Sequence, residues 1–276
     1  MPVDPDKPTY LIKVLDVADL GGVDSSFLVN KYRPGEVPPV TRCFSYLILG
    51  PNIPPIMVDT GVKEDQLDIM HRLGMTASQR PDQKISYQLA KYGLDVGDIE
   101  VILHTHLHID HAGNDDMFPN ARIIFPRKEI MFAVAGLMDA QYPPEYITYL
   151  VEQIHVPGKV RLIDDGMELA PGIFLEPTEG HTWGSMNIKV NTKQGLAIIC
   201  GDVIYDEKLQ TQQNDIFTDV TEQAKHAVLP FGDRSTGNFW NLWAAKAGVQ
   251  KIMAEADMVL PIHDALVIEK YGYEIG

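Results

Sequence analysis

Short runs rich in Val, Ile, Leu and Tyr alternate with stretches at helical spacing along most of this chain, and that alternation restricts the fold more than any single motif. Residues 10–17, 44–49, 56–59, 101–104, 122–125, 173–177, 186–190, 197–200 and 258–260 read as strands, because β-branched and aromatic side chains suit a pleated, half-buried surface. Apolar positions recur at helical spacing across 63–73, 84–92, 127–138, 144–152 and 239–256. Interleaved strands and helices, with strands dominating each half, predict an α/β sandwich rather than an all-β barrel. The chain, 1–276, is expected to form one domain around a large core.

Two segments break this rhythm. Residues 21–42 contain Gly21-Gly22, Arg33-Pro34-Gly35 and Pro38-Pro39, and residues 206–219 are polar and glutamine-rich. Both are expected to be surface loops near a pocket mouth.

The formal net charge of −15, from 38 acidic against 23 basic residues, repels phosphate backbones and anionic lipid, so neither nucleic acid nor membrane is an expected partner. Cys43 and Cys200 are the two cysteines, too few for a disulfide framework and suited to a reducing compartment. The first residues lack the apolar core of a signal peptide, and no stretch has the length of a membrane span. A cytoplasmic location is expected.

The run His104-Thr105-His106-Leu107-His108-Ile109-Asp110-His111 places four imidazoles and one carboxylate within eight residues, more than packing calls for. Imidazole with carboxylate suits borderline divalent metals. The polar run begins where the apolar residues 101–103 stop; His106 and His108, two apart, can project to one side, while Asp110 and His111 reach a neighbouring point. A metal site is implied, with room for two ions. Other ligand-type residues stand at strand ends beside glycine or a turn: His181 in Glu179-Gly180-His181-Thr182-Trp183-Gly184, Asp202 after Cys200-Gly201, and His263 before Asp264.

The remaining candidates read more simply as structure. His71 and His226 sit in helical or polar patterns without partners, and His155 lies in a turn. His104 shares the parity of His106 and His108 but reads as a buried, hydrogen-bonded histidine, and Cys200 as a small hydrophobe. Trp240 and Trp243 fit a core-facing helical stripe.

Asp59-Thr60-Gly61, His106-x-His108-x-Asp110-His111, Gly180-His181, Gly201-Asp202 and His263, in that order, together resemble the metallo-β-lactamase superfamily. The resemblance runs from Asp59 to His263. It implies an αβ/βα four-layer sandwich with the site along one sheet edge. It also implies His106, His108 and His181 on one metal, Asp110, His111 and His263 on the other, and Asp202 bridging them, with Asp59 supporting the shell. Zinc is the expected ion, with iron, manganese and cobalt as alternatives. Two dications would lower the pKa of a shared water and generate the attacking hydroxide.

Within the superfamily, the zinc β-lactamases commonly place a cysteine where this chain has Asp202, and nucleases need a basic surface. Leu107, Trp183-Gly184, Asp202-Val203-Ile204-Tyr205 and His263-Asp264 look like the N-acyl-homoserine lactonase family. That likeness implies a lactone as the small-molecule substrate, Tyr205 beside its carbonyl, and Asp110 returning a proton to the ring oxygen. Ile109 stands where some members carry an aromatic residue. The alternatives are a glyoxalase II-like thioester hydrolase, a mononuclear-iron persulfide dioxygenase, or a metal-stabilised binding protein without turnover. A homodimer is the expected assembly, with 127–152 able to cover the core or form its interface.

Overall fold

A computed structural model describes residues 6–21, 41–136, 141–211 and 235–276. Among them, two mixed sheets face each other. The first runs β12-β1-β2-β3-β4-β5-β6: β1 is Leu11–Gly21, β2 Thr41–Leu49, β3 Ile56–Val58, β4 Val101–Leu103, β5 Arg122–Pro126, β6 Val160–Ile163 and β12 Glu274–Ile275. The second runs β11-β10-β9-β8-β7: β7 is Met167–Ala170, β8 Ile173–Pro177, β9 Met186–Thr192, β10 Gly195–Gly201 and β11 Met258–Pro261.

The period-2 alternation of β10 shows how the layers form. Ala197 and Ile199 join the large core that contains Ile12, Val14, Leu47 and Ile102 of the first sheet. Leu196, Ile198 and Cys200 point the other way, into a smaller cluster with Val249 and Ile252. Those two residues lie on a helix, Leu242–Glu255, that covers the outer face of the second sheet. Helix α2, Ile85–Ala90, packs on β1 of the first sheet, following α1 at Leu67–Arg72. Helix, sheet, sheet, helix is the four-layer αβ/βα order.

Helices α3 (Arg127–Val134) and α4 (Pro144–Ile154) follow β5, and α5 (Glu207–Thr211) follows β10. The chain continues through α6, the Leu242–Glu255 helix, and α7 (Leu266–Tyr271).

Several expectations change. Strands β1 and β2 extend into the segment predicted as loop from both ends, while 22–40 lie outside the described residues, as do His226 and Met138. Segment 206–219 is not wholly loop, because α5 occupies 207–211. Strands β6, β7 and β12 and helices α5 and α7 were not expected. Trp240 and Trp243 do not form a core stripe: they are 47% and 80% exposed. The cap at Asn241 starts α6 so that Ala245, Val249 and Ile252 face inward, and Trp243, two residues from Ala245, points away. Phe132 and Tyr142 are buried, while Met131 is 47% exposed.

Candidate metal centre

Strands β3, β4 and β5 are parallel, as are β10 and β11, and β8 runs with β10 because each is antiparallel to β9. Their carboxyl ends meet at one rim of the sandwich, the place where open α/β sheets hold ligands. Asp59 leaves β3, the run His104 to His111 leaves β4, His181 follows β8, Asp202 leaves β10 and His263 leaves β11. Backbone bonds lock the rim: Met186 N–H donates to Thr105 O at 2.7 Å, and Arg42 N–H to His263 O at 3.1 Å. Gly201 adopts φ 52°, and a Cβ there would lie 2.6 Å from Thr105 Oγ1, so a side chain cannot replace its hydrogen.

The rim gathers two donor groups, all buried: His106, His108, His181 and Asp202, then Asp110, His111 and His263, with the donor atoms of each group within 4.8 Å of one another. In the first, His106 Nε2 lies 2.9 Å from His108 Nδ1, and His181 Nε2 is 3.2 Å from both. Asp202 spans the two: Oδ2 is 3.3 Å from His181 Nε2, while Oδ1 is 3.2 Å from His111 Nε2 and 3.1 Å from His263 Nε2. Asp110 Oδ2 approaches His263 Nε2 at 3.4 Å.

These separations fit cations. A tetrahedral site with metal–nitrogen bonds of about 2.05 Å has donor–donor edges of about 3.3 Å. Moreover, His111 Nε2, His263 Nε2 and Asp202 Oδ1 are buried without a hydrogen-bond partner, a costly arrangement unless an ion takes their lone pairs.

Hydrogen bonds on the far nitrogens aim the imidazoles. His181 Nδ1 donates to Asn238 O at 2.7 Å, His263 Nδ1 to Arg42 O at 2.7 Å and His111 Nδ1 to Asp59 Oδ2 at 2.8 Å. The Thr105 hydroxyl gives its proton to Asp59 at 2.7 Å, so its oxygen accepts from His106 Nδ1 at 3.2 Å. Each contact leaves an Nε2 lone pair facing inward.

Electrostatics agree. Burial, followed by neighbouring imidazoles, holds His106 and His108 well below the usual histidine range, which keeps them neutral Lewis bases. Burial would lower His111 and His263 too, but Asp202 and Asp110 outweigh it and raise both. The carboxylate field that draws a proton there is the field that attracts a dication.

Asp59 anchors the floor with its backbone in the left-handed region, at φ 55°. Beyond His111 and the Thr105 hydroxyl, it accepts from Thr105 N–H at 2.9 Å and His104 Nδ1 at 3.3 Å. His104 Nε2 reaches Asp115 at 2.9 Å. Burial lowers the His104 pKa, but Asp115 and then Asp59 raise it to about 9. As the sequence implied, His104 is a buried hydrogen-bonded histidine, and here it links two carboxylates.

Tyr205 reaches the centre from the turn after β10. Its ring stacks on His263, with centroids 4.9 Å and planes 20° apart, and meets the His181 ring edge-on at 6.0 Å. Burial and then the Asp202 and Asp110 charges push its pKa well up, so the phenol keeps its proton. Gln210, unmarked in the sequence reading, fixes that turn: its Oε1 accepts from Tyr205 N–H at 2.6 Å and its Nε2 donates to Val203 O at 3.1 Å. Asp264 receives N–H bonds from Leu266 at 2.9 Å and Glu207 at 3.1 Å, tying α7 to α5. His71 binds Ala77 O at 2.7 Å and His155 caps the end of α4, both away from the centre.

The sequence profile of the metallo-beta-lactamase superfamily matches residues 38–229. An N-acyl homoserine lactonase of Bacillus cereus is 30% identical over 162 residues, which cover 56% of this chain and 61% of that protein's length. One from Bacillus sp is 29% identical over 195 residues, covering 67% and 73%. Among solved structures, an N-acyl homoserine lactone hydrolase with N-hexanoyl-L-homoserine at its catalytic metal centre superposes with a TM-score of 0.67 at 21% identity, covering 96% of each chain. AidC, a dizinc quorum-quenching lactonase, superposes with a TM-score of 0.63 at 15% identity, covering 94% of this chain and 92% of AidC. These superpositions concern the fold.

Proposed function

Because this chain belongs to the metallo-beta-lactamase superfamily, we propose that it is a dinuclear-metal hydrolase that opens lactone rings, with N-acyl-homoserine lactones as the leading substrates. The observation that carries this reading is Tyr205, a protonated phenol stacked on His263 and edge-on to His181, beside both donor groups at once. His106, His108 and His181 would hold one ion, Asp110, His111 and His263 the other, and Asp202 both, with zinc favoured by the imidazole and carboxylate donors. When bound, the pair supplies Lewis acidity and an activated water at neutral pH.

The chain's own groups divide the remaining work. Tyr205 donates to the lactone carbonyl and strengthens that bond as negative charge grows on the oxygen. Asp110, at the edge of the second group, carries a proton to the departing ring oxygen. The relatives' activity on acyl-homoserine lactones supports the substrate class, and such turnover would quench a quorum signal. The complete second donor group favours two ions over the single iron of a persulfide dioxygenase.

A panel of homoserine lactones, simple γ- and δ-lactones, thioesters and aryl esters, run on metal-loaded protein near neutral pH, tests the reading. Ring opening of the lactones at rates well above the other esters is expected. No turnover of any lactone would sink it.

A further inference from the structure

Glu129, on α3, is a fully buried carboxylate that supplies none of the donor atoms, yet it binds the chain on both sides of the first donor group. Its Oε1 accepts from Leu107 N–H at 2.9 Å and the Tyr142 hydroxyl at 2.8 Å. Its Oε2 accepts from the Thr182 hydroxyl at 2.6 Å and Gly184 N–H at 3.1 Å. Leu107 lies between His106 and His108, and Thr182 directly follows His181. All three imidazoles of one donor group are therefore carried by two loops that share a single anchor. The fit is close, since a Cβ on Gly184 would fall 2.2 Å from Glu129 N.

His108 shows why the anchor matters. The other four imidazoles of the centre each hydrogen-bond through the far nitrogen, whereas His108 Nε2 is buried without a partner. Its ring is held instead against Tyr142, with centroids 4.8 Å apart, and the hydroxyl of Tyr142 ends on Glu129. Chemistry restricts the anchor to a carboxylate. Leu107 N–H and Gly184 N–H can only donate, so each needs its own oxygen, and an amide would set its NH2 against one of them. The second donor group makes no bond to Glu129: His263 rests on Arg42 O, and His111 on Asp59, which also steadies His106 through Thr105.

We infer that Glu129 is a positioning residue for the His106, His108 and His181 group alone, so that its loss weakens one of two bound ions selectively. This rests on the dinuclear reading above.

The test is Co2+ and Zn2+ titration of the metal-stripped protein, followed by cobalt absorption and calorimetry, with thermal melting of each variant. Glu129→Gln should weaken one of the two binding steps by about tenfold or more and leave the other near wild type. Asp59→Asn, which disturbs His111 directly and His106 through Thr105, should by contrast weaken both steps. If Glu129→Gln does not fold, Tyr142→Phe and Thr182→Val, which each delete one donor to Glu129, should weaken the same single step by smaller factors. Two unchanged steps, or two steps weakened together in proportion to melting temperature, overturn the role of Glu129 while leaving the dinuclear reading intact. Wild-type protein that takes up no more than one ion overturns both.

Discussion

Tyr205 stacks on His263, with ring planes 20° apart, so one candidate donor imidazole packs directly against the phenol. Tyr205→Phe keeps this stack and removes only the hydroxyl. On a hydrolysed lactone, kcat should fall about 100-fold with KM and metal content unchanged, the pattern of a donor used in the transition state. A KM effect alone would assign Tyr205 to substrate binding.

Asp59→Asn replaces an acceptor of four donors with a group that can satisfy only part of them. His111 then loses the partner that keeps its proton on Nδ1 and its Nε2 lone pair inward. Affinity for the ion beside His111 should drop about 10- to 100-fold, with a smaller loss at the ion beside His106, which Asp59 supports through Thr105. Isothermal titration against wild type gives the number, and unchanged affinity would remove Asp59 from the support of the centre.

Removing metal should destabilise the protein. An ion that binds only the folded state adds about 2.7 kcal/mol per site when its free concentration is 100 times Kd. Scanning calorimetry with and without EDTA should show a lower melting temperature on chelation, restored by added Zn2+. A melting curve indifferent to both treatments would contradict ion binding at the rim.

Glu176 gives a pH dependence remote from the centre. Burial raises its pKa, but hydrogen bonds from Lys251 and Lys189 outweigh this and lower it below the usual 4.5. Its unfolded pKa is therefore the higher one, so its contribution is complete above about pH 4.5 and is lost as pH falls toward the folded value. Urea unfolding of metal-free protein should show stability declining below about pH 4.5, and Glu176→Gln should flatten that decline. Equal slopes in the two proteins would rule the network out as a source of acid sensitivity.

The donor residues were legible because each follows an apolar run, and a histidine or aspartate at such a junction has little structural reason to be there. Strands β6, β7 and β12 were not, because they are short and half-exposed: Arg161 and Glu168 are exposed within β6 and β7. Gln210 lies in a polar stretch that reads as loop. Glu129 carries no local mark in the sequence, since its partners stand at positions 107, 142, 182 and 184. A signal was present nonetheless, because Glu129 lies three and four residues before Phe132 and Ala133, on the buried face of α3. Trp243 misled for the converse reason, as aromatic character suggested burial that helical phase denies.

The donors are divided between the sheets: His106, His108, Asp110 and His111 leave the first, while His181, Asp202 and His263 leave the second. Only the short exposed turn 164–166 carries the chain from β6 across to β7. Neither half presents a full donor group alone, so ions would be held only once the second sheet has docked on the first. Ion uptake would then be the closing event of maturation. The rate at which refolding protein becomes metal-loaded should level off at high ion concentration, at a ceiling set by docking.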